Sequence, residues 1–65
     1  MVYSSSKVPK ATVLIVDDQE DIRRLMAVIL KEKNYDVDAC DTGREAIKKM
    51  NERFYDIALI DIFLA

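Results

Sequence analysis

Histidine is absent from the 65 residues, and cysteine, proline and glycine occur once each. Without histidine, the chain cannot build a metal site on imidazole or form a Ser-His or Cys-His catalytic pair. The single cysteine, Cys40, has no partner for an internal disulfide, which argues against a small secreted scaffold and favours a reducing compartment. The scarcity of glycine and proline excludes collagen-like and linker sequence. A cytoplasmic location is therefore expected.

A strong charge of one sign and long apolar runs are also missing. Ten basic and twelve acidic residues give a net charge of -2, so direct nucleic-acid binding is not expected. The apolar runs at residues 13–16 and 27–30 are far too short to cross a membrane. Hydrophobic residues nevertheless make up 51% of the chain, the share of an ordinary globular domain. The length permits one domain at most, with a core that is marginal by itself.

The remaining pattern predicts three strands that alternate with two helices, after a flexible tail at residues 1–10. The first and third strands are apolar on both faces, whereas the second alternates between apolar and acidic residues. Strands that alternate with helices imply right-handed crossovers and a parallel sheet. We therefore expect an α/β fold with a central first strand, strand order 2-1-3 and one helix on each face. The predicted strands are Thr12–Val16, Tyr35–Ala39 and Ile57–Ile60, and the helices end near Lys33 and Arg53.

Both predicted helices have an apolar side. The stripe of the first helix consists of Ile22, Leu25, Met26, Ile29 and Leu30. The second helix is expected to bury Ala46, Ile47, Met50 and Phe54. Thr42 and Glu45 have the spacing of a capping box, and Asn34 suits a left-handed helix end. The charged residues expected to face water are Arg23, Arg24, Asp36, Asp38 and Asp56.

Three aspartates follow the two apolar strands. Asp17 and Asp18 end the first strand, and Asp61 ends the third. In an open parallel sheet, ligands collect beyond the carboxyl ends of the strands where the chain switches faces, so the three carboxylates are expected to converge there. Such a cluster repels itself unless a cation neutralises it, and oxygen ligands that are partly open to water suit Mg²⁺ better than Zn²⁺ or Ca²⁺. A metal there would also help a carboxylate to act as a nucleophile toward phosphorus.

Each of these aspartates also has a purely structural interpretation. An Asp-Asp pair after a strand commonly starts a helix, and Asp61 alone can end a strand in solvent. The joint position of Asp17, Asp18 and Asp61 at the switch point favours a site over these alternatives. A Mg²⁺-dependent phosphatase with an aspartyl nucleophile fits less well, because no general acid or lysine is available to it.

Three segments stand out in the chain, VLIVDDQEDIRRLMAVIL (13–30), YDVDACDTGREAIKKM (35–50) and YDIALIDIFL (55–64). Together they resemble the receiver domain of bacterial two-component response regulators. Their order and spacing are those of the family, and the resemblance covers residues 11–65. It implies a flavodoxin-like fold and a phosphoacceptor in a two-component phosphorelay. A protein of this kind is not an enzyme beyond Mg²⁺-dependent self-phosphorylation.

By position, Asp61 resembles the phosphoacceptor, which receives its phosphoryl group from a histidine kinase or a phosphotransfer protein. The resemblance implies that Asp18 is a direct Mg²⁺ ligand, that Asp17 is its water-mediated partner, and that the backbone carbonyl of Phe63 is a further ligand. The first helix then corresponds to the surface that faces the kinase. Its expected partner-binding residues are Ile22, Leu25, Met26 and Ile29.

The sequence departs from the family pattern after Asp61. A complete receiver has five strands in the order 2-1-3-4-5, with a Ser or Thr at the end of the fourth and a Lys at the end of the fifth. No Ser, Thr or Lys follows Asp61 here, and Ala65 stands where family members often have proline. Residues 11–65 therefore resemble the N-terminal half of a receiver. The open edge of the third strand predicts completion of the sheet by dimerisation.

Three classes of function remain open. The first is signalling by phosphotransfer, the second is a kinase-binding module that does not switch, and the third is a self-associating half-domain of structural or engineered origin. Mg²⁺ titration separates the first two from the third, and kinase binding without a gain in mass favours the second. The resemblance favours the first.

Overall fold

The computed structural model describes residues 8–61, which form a βαβαβ unit. The strands join in a single parallel sheet with the order β2-β1-β3, so the predicted topology is confirmed. Residues 1–7 and 62–65, which include most of the predicted tail and Phe63, lie outside the described residues. The elements are β1 (Thr12–Asp17), α1 (Glu20–Glu32), β2 (Asp36–Cys40), α2 (Gly43–Glu52) and β3 (Ile57–Asp61).

The central strand β1 supplies most of the core. Its side chains from Val13 to Asp17 are all at most 2% exposed, because each strand neighbour covers one edge and each helix covers one face. On one face, Val13 and Ile15 pack with Val37 beneath the α1 side chains of Met26, Ala27 and Leu30. On the other face, the buried cluster consists of Leu14, Val16, Cys40 and Ala46, with Tyr55 against it. One helix on each face, as predicted, is confirmed.

The helices bury less apolar surface than their patterns predict. No residue of α1 is fully buried, and Ile22, Leu25 and Ile29 are exposed. The prediction that α2 buries Ile47, Met50 and Phe54 is wrong, because these three side chains are exposed and Ala46 alone of the predicted set is buried. Each helix contacts the sheet through one flank of its apolar stripe, and the other flank faces solvent.

Strand β3 is apolar but exposed along its whole length. It pairs with β1 on one side only, so within residues 8–61 its other edge has no strand partner. The side chains of Ile57, Leu59 and Ile60 are exposed on the two faces. This agrees with the expectation of an open edge at the third strand. Among the described residues, no helix has the length and apolar character needed to cross a bilayer.

The predicted helix ends are present. The hydroxyl of Thr42 accepts a hydrogen bond of 3.1 Å from the backbone N–H of Glu45, which is the side-chain half of a capping box. Asn34 has a φ of 71°, the left-handed conformation predicted for it. Its backbone N–H donates to the carbonyl of Lys31, and that of Tyr35 donates to Leu30. These two bonds form a Schellman motif, which ends α1 and turns the chain into β2.

At the amino edge of the sheet, polar contacts join the loop before β3 to strand β2. Arg53 donates to Asp36 at 3.0 Å and to Asp38 at 3.4 Å, and it lies over the ring of Tyr55. The hydroxyl of Tyr55 donates to Asp38. Burial, followed by this hydrogen bond, raises the pKa of Tyr55 to about 12. Asp36 and Asp38 are thus partly buried and paired, which corrects the expectation that they simply face water.

Asp56 also has a partner, although it is exposed. Its carboxylate accepts from the backbone N–H of Thr12 at 2.8 Å and from the Thr12 hydroxyl at 2.9 Å. The backbone N–H of Asp56 in turn donates to the carbonyl of Thr12 at 2.9 Å. The two bonds that Asp56 accepts, first from the amide and then from the hydroxyl, lower the pKa of its carboxyl group. Asp56 thereby ties the start of β3 to the start of β1.

We expect Asp56→Asn to flatten the acid dependence of stability. Because the folded-state pKa of Asp56 is lowered, its contribution is complete above the ordinary carboxyl range, about pH 4 and higher, and is lost as pH falls through the lowered value. Urea denaturation at a series of pH values measures this dependence. Thr12→Val keeps the amide donor but loses the hydroxyl, so its slope should lie between those of wild type and Asp56→Asn. Equal slopes in all three proteins would contradict the assignment.

Candidate functional site

The register of the sheet places two of the predicted site residues side by side. Asp17 and Asp61 are the last residues of β1 and β3, and they are paired across the parallel ladder. Neighbouring strands lie about 4.8 Å apart, and paired residues project to the same face. The two carboxylates therefore share the carboxyl edge of the sheet, where β1 leads into α1.

Asp17 is the one buried charged residue among those described, at 2% exposure. One carboxylate oxygen, Oδ1, accepts a hydrogen bond of 2.9 Å from the backbone N–H of Gln19. The other oxygen, Oδ2, is buried and has no hydrogen-bond partner within residues 8–61. A buried acceptor without a partner costs about 1 to 3 kcal/mol, and a bound water molecule or ion removes that cost. Asp17 therefore has an oxygen that is available to a cation or a water molecule.

Asp18 and Asp61 are both exposed. Asp18 lies in the turn between β1 and α1, next to buried Asp17, and Asp61 ends the exposed strand β3. Neither Asp17 nor Asp18 caps the helix, because the cap residue is Gln19 and its side chain makes no capping bond. Glu20 and Asp21 are the acidic residues of the first turn, where negative side chains stabilise the positive end of the helix dipole. The Asp-Asp pair thus lies before the cap residue, and Asp17 contacts the start of the helix through the backbone N–H of Gln19.

Arg23 is a residue of this region that the sequence pattern misassigned to solvent. It is partly buried, and its Nη1 donates a hydrogen bond of 2.8 Å to the backbone carbonyl of Asp17. Arg24, in contrast, is exposed as predicted and pairs with Glu20 at 2.7 Å. Arg23 has helical spacing with Met26 and Leu30, which places it on the packed flank of α1. This spacing is the sequence signal that could have predicted its partial burial.

The residues fit a magnesium ion in part. Within residues 8–61 no three Asp, Glu or Cys side chains are grouped closely enough to enclose a metal ion, so the three carboxylates do not form a finished cage. Mg²⁺ keeps several of its waters and is held by one or two carboxylates, which a paired Asp17 and Asp61 supply. The unpaired Oδ2 of Asp17 provides a buried oxygen for this purpose. The donor set therefore suits Mg²⁺ at an open edge.

The predicted partner-binding residues divide into two groups. Ile22, Leu25 and Ile29 are exposed along one flank of α1, whereas Met26 packs on the core formed by Val13 and its neighbours. Phe63, whose carbonyl is a predicted ligand, lies outside the described residues. The exposed flank is thus accessible to a partner, and Met26 serves the core.

Comparisons with known proteins point to one family. The model of the response regulator receiver domain matches residues 13–65. The transcriptional regulatory protein ResD of Bacillus subtilis is 42% identical over 52 residues, which is 80% of this chain and 22% of that protein. The regulatory protein VanRB of Enterococcus faecalis is 38% identical over 52 residues, 80% of this chain and 24% of its own length.

A third relative is the response regulator ArlR of Staphylococcus saprophyticus, which is 35% identical over 52 residues, 80% of this chain and 24% of its own length. The chain thus spans a quarter or less of the length of these curated relatives. The family match includes residues 13–17 of β1, the whole of β3 and the aspartates that end the two strands. The chain belongs to the response regulator receiver domain family.

Proposed function

We propose that the chain is a phosphoacceptor receiver of two-component signalling and that Asp61 takes the phosphoryl group. The observation that carries the proposal is the pairing of exposed Asp61 with buried Asp17 at the carboxyl edge of the sheet. One carboxylate is open to a donor, and its neighbour holds an oxygen that has no hydrogen-bond partner within residues 8–61. Family membership supports the same chemistry.

In the proposed reaction, a carboxylate oxygen of Asp61 attacks the phosphorus of a phosphohistidine on a histidine kinase or phosphotransfer protein. The new O–P bond forms, the P–N bond breaks, and the imidazole nitrogen takes up a proton. The product is an acyl phosphate on Asp61. Because Asp61 is exposed, it is accessible to the donor without a rearrangement of the sheet.

Asp17, Asp18 and Asp61 are the proposed side-chain ligands of Mg²⁺. In this proposal Asp18 binds directly, Asp17 binds through water, and the Phe63 carbonyl completes the protein ligands. A bound Mg²⁺ neutralises the phosphoryl oxygens during transfer and screens the carboxylates from one another. The carboxyl group of buried Asp17 lies beside that of Asp61, so oxygen ligands from two strands meet at this edge of the sheet.

The proposed kinase-facing surface is the exposed flank of α1, formed by Ile22, Leu25 and Ile29. An amphipathic helix with an apolar flank in solvent is suited to pack against another helix. The reaction consumes the phosphoryl donor once for each Asp61, so the chain acts as an acceptor and not as an enzyme. Cys40, buried and free, is compatible with the proposed cytoplasmic location.

The direct test is the intact mass of the chain after incubation with Mg²⁺ and a small acyl phosphate. The chain is expected to gain the mass of one phosphoryl group when Mg²⁺ is present and to gain none when Mg²⁺ is left out. No gain with the small donor or with a phosphorylated histidine kinase would contradict the proposal. Kinase binding without a gain would instead identify a binding module.

A second candidate function, self-association, is favoured by the open edge of β3. The strand has apolar side chains exposed along its length and no partner on that edge within residues 8–61. Exposed apolar edges pair readily with a second copy of the same strand. Sedimentation velocity at micromolar concentration is expected to show a dimer.

The variant Ile60→Lys should shift this dimer toward monomer, because lysine on an edge strand opposes pairing. Asn51→Lys adds the same charge to the exposed surface of α2, away from the edge, and should leave the dimer intact. A wild-type chain that sediments as a folded monomer would contradict self-association.

A further inference from the structure

Arg23 holds the turn between β1 and α1 with two hydrogen bonds. Its backbone N–H donates to the carbonyl of Gln19 at 3.0 Å, which is the first bond of the helix. Its side chain reaches back six residues, and Nη1 donates to the carbonyl of Asp17 at 2.8 Å. One residue of α1 is thereby bonded to both ends of the turn that contains Asp18.

A third bond completes this arrangement. The backbone N–H of Gln19 donates to Oδ1 of Asp17 at 2.9 Å, so Asp17 is held through its carbonyl by Arg23 and through its carboxylate by Gln19. Asp18 lies between the residues that these bonds fix, and its own side chain is exposed. The direction in which Asp18 presents its carboxylate therefore depends on a turn that is bonded on both sides.

The contact made by Arg23 is with a neutral carbonyl and not with a carboxylate. Within residues 8–61 the arginine ion pairs are those of Arg24 and Arg53, and Arg23 has none. A guanidinium that served as a counter-ion would pair with a carboxylate, as Arg24 does with Glu20. The geometry of Arg23 is that of a main-chain anchor.

We propose that Arg23 is a positioning residue of the Mg²⁺ site at the carboxyl edge of the sheet. Its side chain holds the β1–α1 turn so that Asp17 and Asp18 present their oxygens to a divalent cation. The inference rests on the proposed function, since it concerns the Mg²⁺ site of that function. When the Arg23 side chain is removed, a positioning role and simple electrostatics predict opposite changes in the affinity for Mg²⁺. Loss of a positive charge near a cation site strengthens cation binding by Coulomb's law, whereas loss of a positioning bond weakens it.

The experiment is a Mg²⁺ titration followed by amide chemical shifts in the wild-type chain and in three variants. Arg23→Ala is expected to bind Mg²⁺ about 10-fold more weakly, the usual effect of losing an outer-shell partner. Arg23→Lys keeps the charge and one donor group, and its affinity should lie between wild type and Arg23→Ala. Arg24→Ala removes the neighbouring exposed charge and should bind Mg²⁺ within about twofold of wild type, since exposed ion pairs contribute little.

Amide spectra recorded without Mg²⁺ show whether each variant is folded. If Arg23→Ala does not fold, Arg23→Lys decides the question, because it is expected to bind Mg²⁺ more weakly than wild type. Affinity equal to or higher than wild type in the folded Arg23 variants would overturn the positioning role alone. A wild-type chain that neither binds Mg²⁺ nor gains a phosphoryl group would overturn the proposed function itself.

Discussion

The variant Asp61→Asn is expected to lose all of the mass gain that Mg²⁺ and a small acyl phosphate produce in the wild-type chain. An amide oxygen is a poor nucleophile toward phosphorus and carries no charge for a cation to screen. Asparagine has nearly the same shape, and Asp61 is exposed at the end of β3. The substitution should therefore change the free energy of unfolding by about 0.5 kcal/mol or less. Intact mass and urea denaturation separate loss of the acceptor from loss of the fold.

The matched control for this variant is Asp41→Asn. Asp41 is an exposed aspartate that directly follows β2, at the same edge of the sheet. It lies on the far side of β1 from Asp61, because the strand order is β2-β1-β3. Asp41→Asn should gain a phosphoryl group as the wild type does. A gain in Asp61→Asn, or its loss in Asp41→Asn, would contradict the assignment of the acceptor.

The largest effect on stability is expected from Ile15→Ala in the centre of β1. Ile15 is fully buried and packs in the cluster beneath α1. Removing three buried carbon atoms and leaving a cavity costs about 2 to 5 kcal/mol. Stabilities of about 0.1 kcal/mol per residue are usual, so this loss removes a large part of the stability expected for a 65-residue chain. Urea denaturation followed by far-UV circular dichroism should show a much lower unfolding midpoint than in wild type.

Ile47→Ala removes the same atoms from an exposed site and serves as the control. Ile47 is 62% exposed on α2, and alanine is the better helix former. Its unfolding midpoint should stay close to that of wild type. Similar losses in the two variants would contradict the description of β1 as the core and of α2 as loosely packed.

The strand order and the position of the aspartates at the carboxyl edge of the sheet could be predicted from the sequence, because both depend on local patterns. The unbroken apolar run of β1 predicts a central strand, and the alternation in β2 predicts an edge strand. The capping residues Thr42 and Asn34 interact only with residues within one helical turn, so the helix ends that they form could be predicted from the sequence. The pairing of Asp17 with Asp61 followed from the rule that parallel strands end at the same edge of a sheet.

Contacts between segments that are distant in the sequence could not be predicted in the same way. A helical stripe shows which residues share a side, but not which flank of that side meets the sheet, and so the burial of Ile47 and Met50 was predicted wrongly. The partners of Asp36 and Asp38 come from Arg53 and Tyr55, which become neighbours only when the α2–β3 loop folds back. The role of Arg23 likewise depends on where its side chain ends, and not on its position in the helix alone.

The Oδ2 oxygen of Asp17, which is unpaired within residues 8–61, has a consequence for the stability of the folded chain. A buried acceptor without a donor raises the free energy of the native state, and a Mg²⁺-bound water molecule that donates to this oxygen lowers that free energy. Under the proposed function, folding and Mg²⁺ binding are therefore thermodynamically linked, and stability increases by about 2.7 kcal/mol when free Mg²⁺ exceeds its dissociation constant 100-fold. The fraction of chains open to proteolysis would then follow the ionic composition of the surroundings.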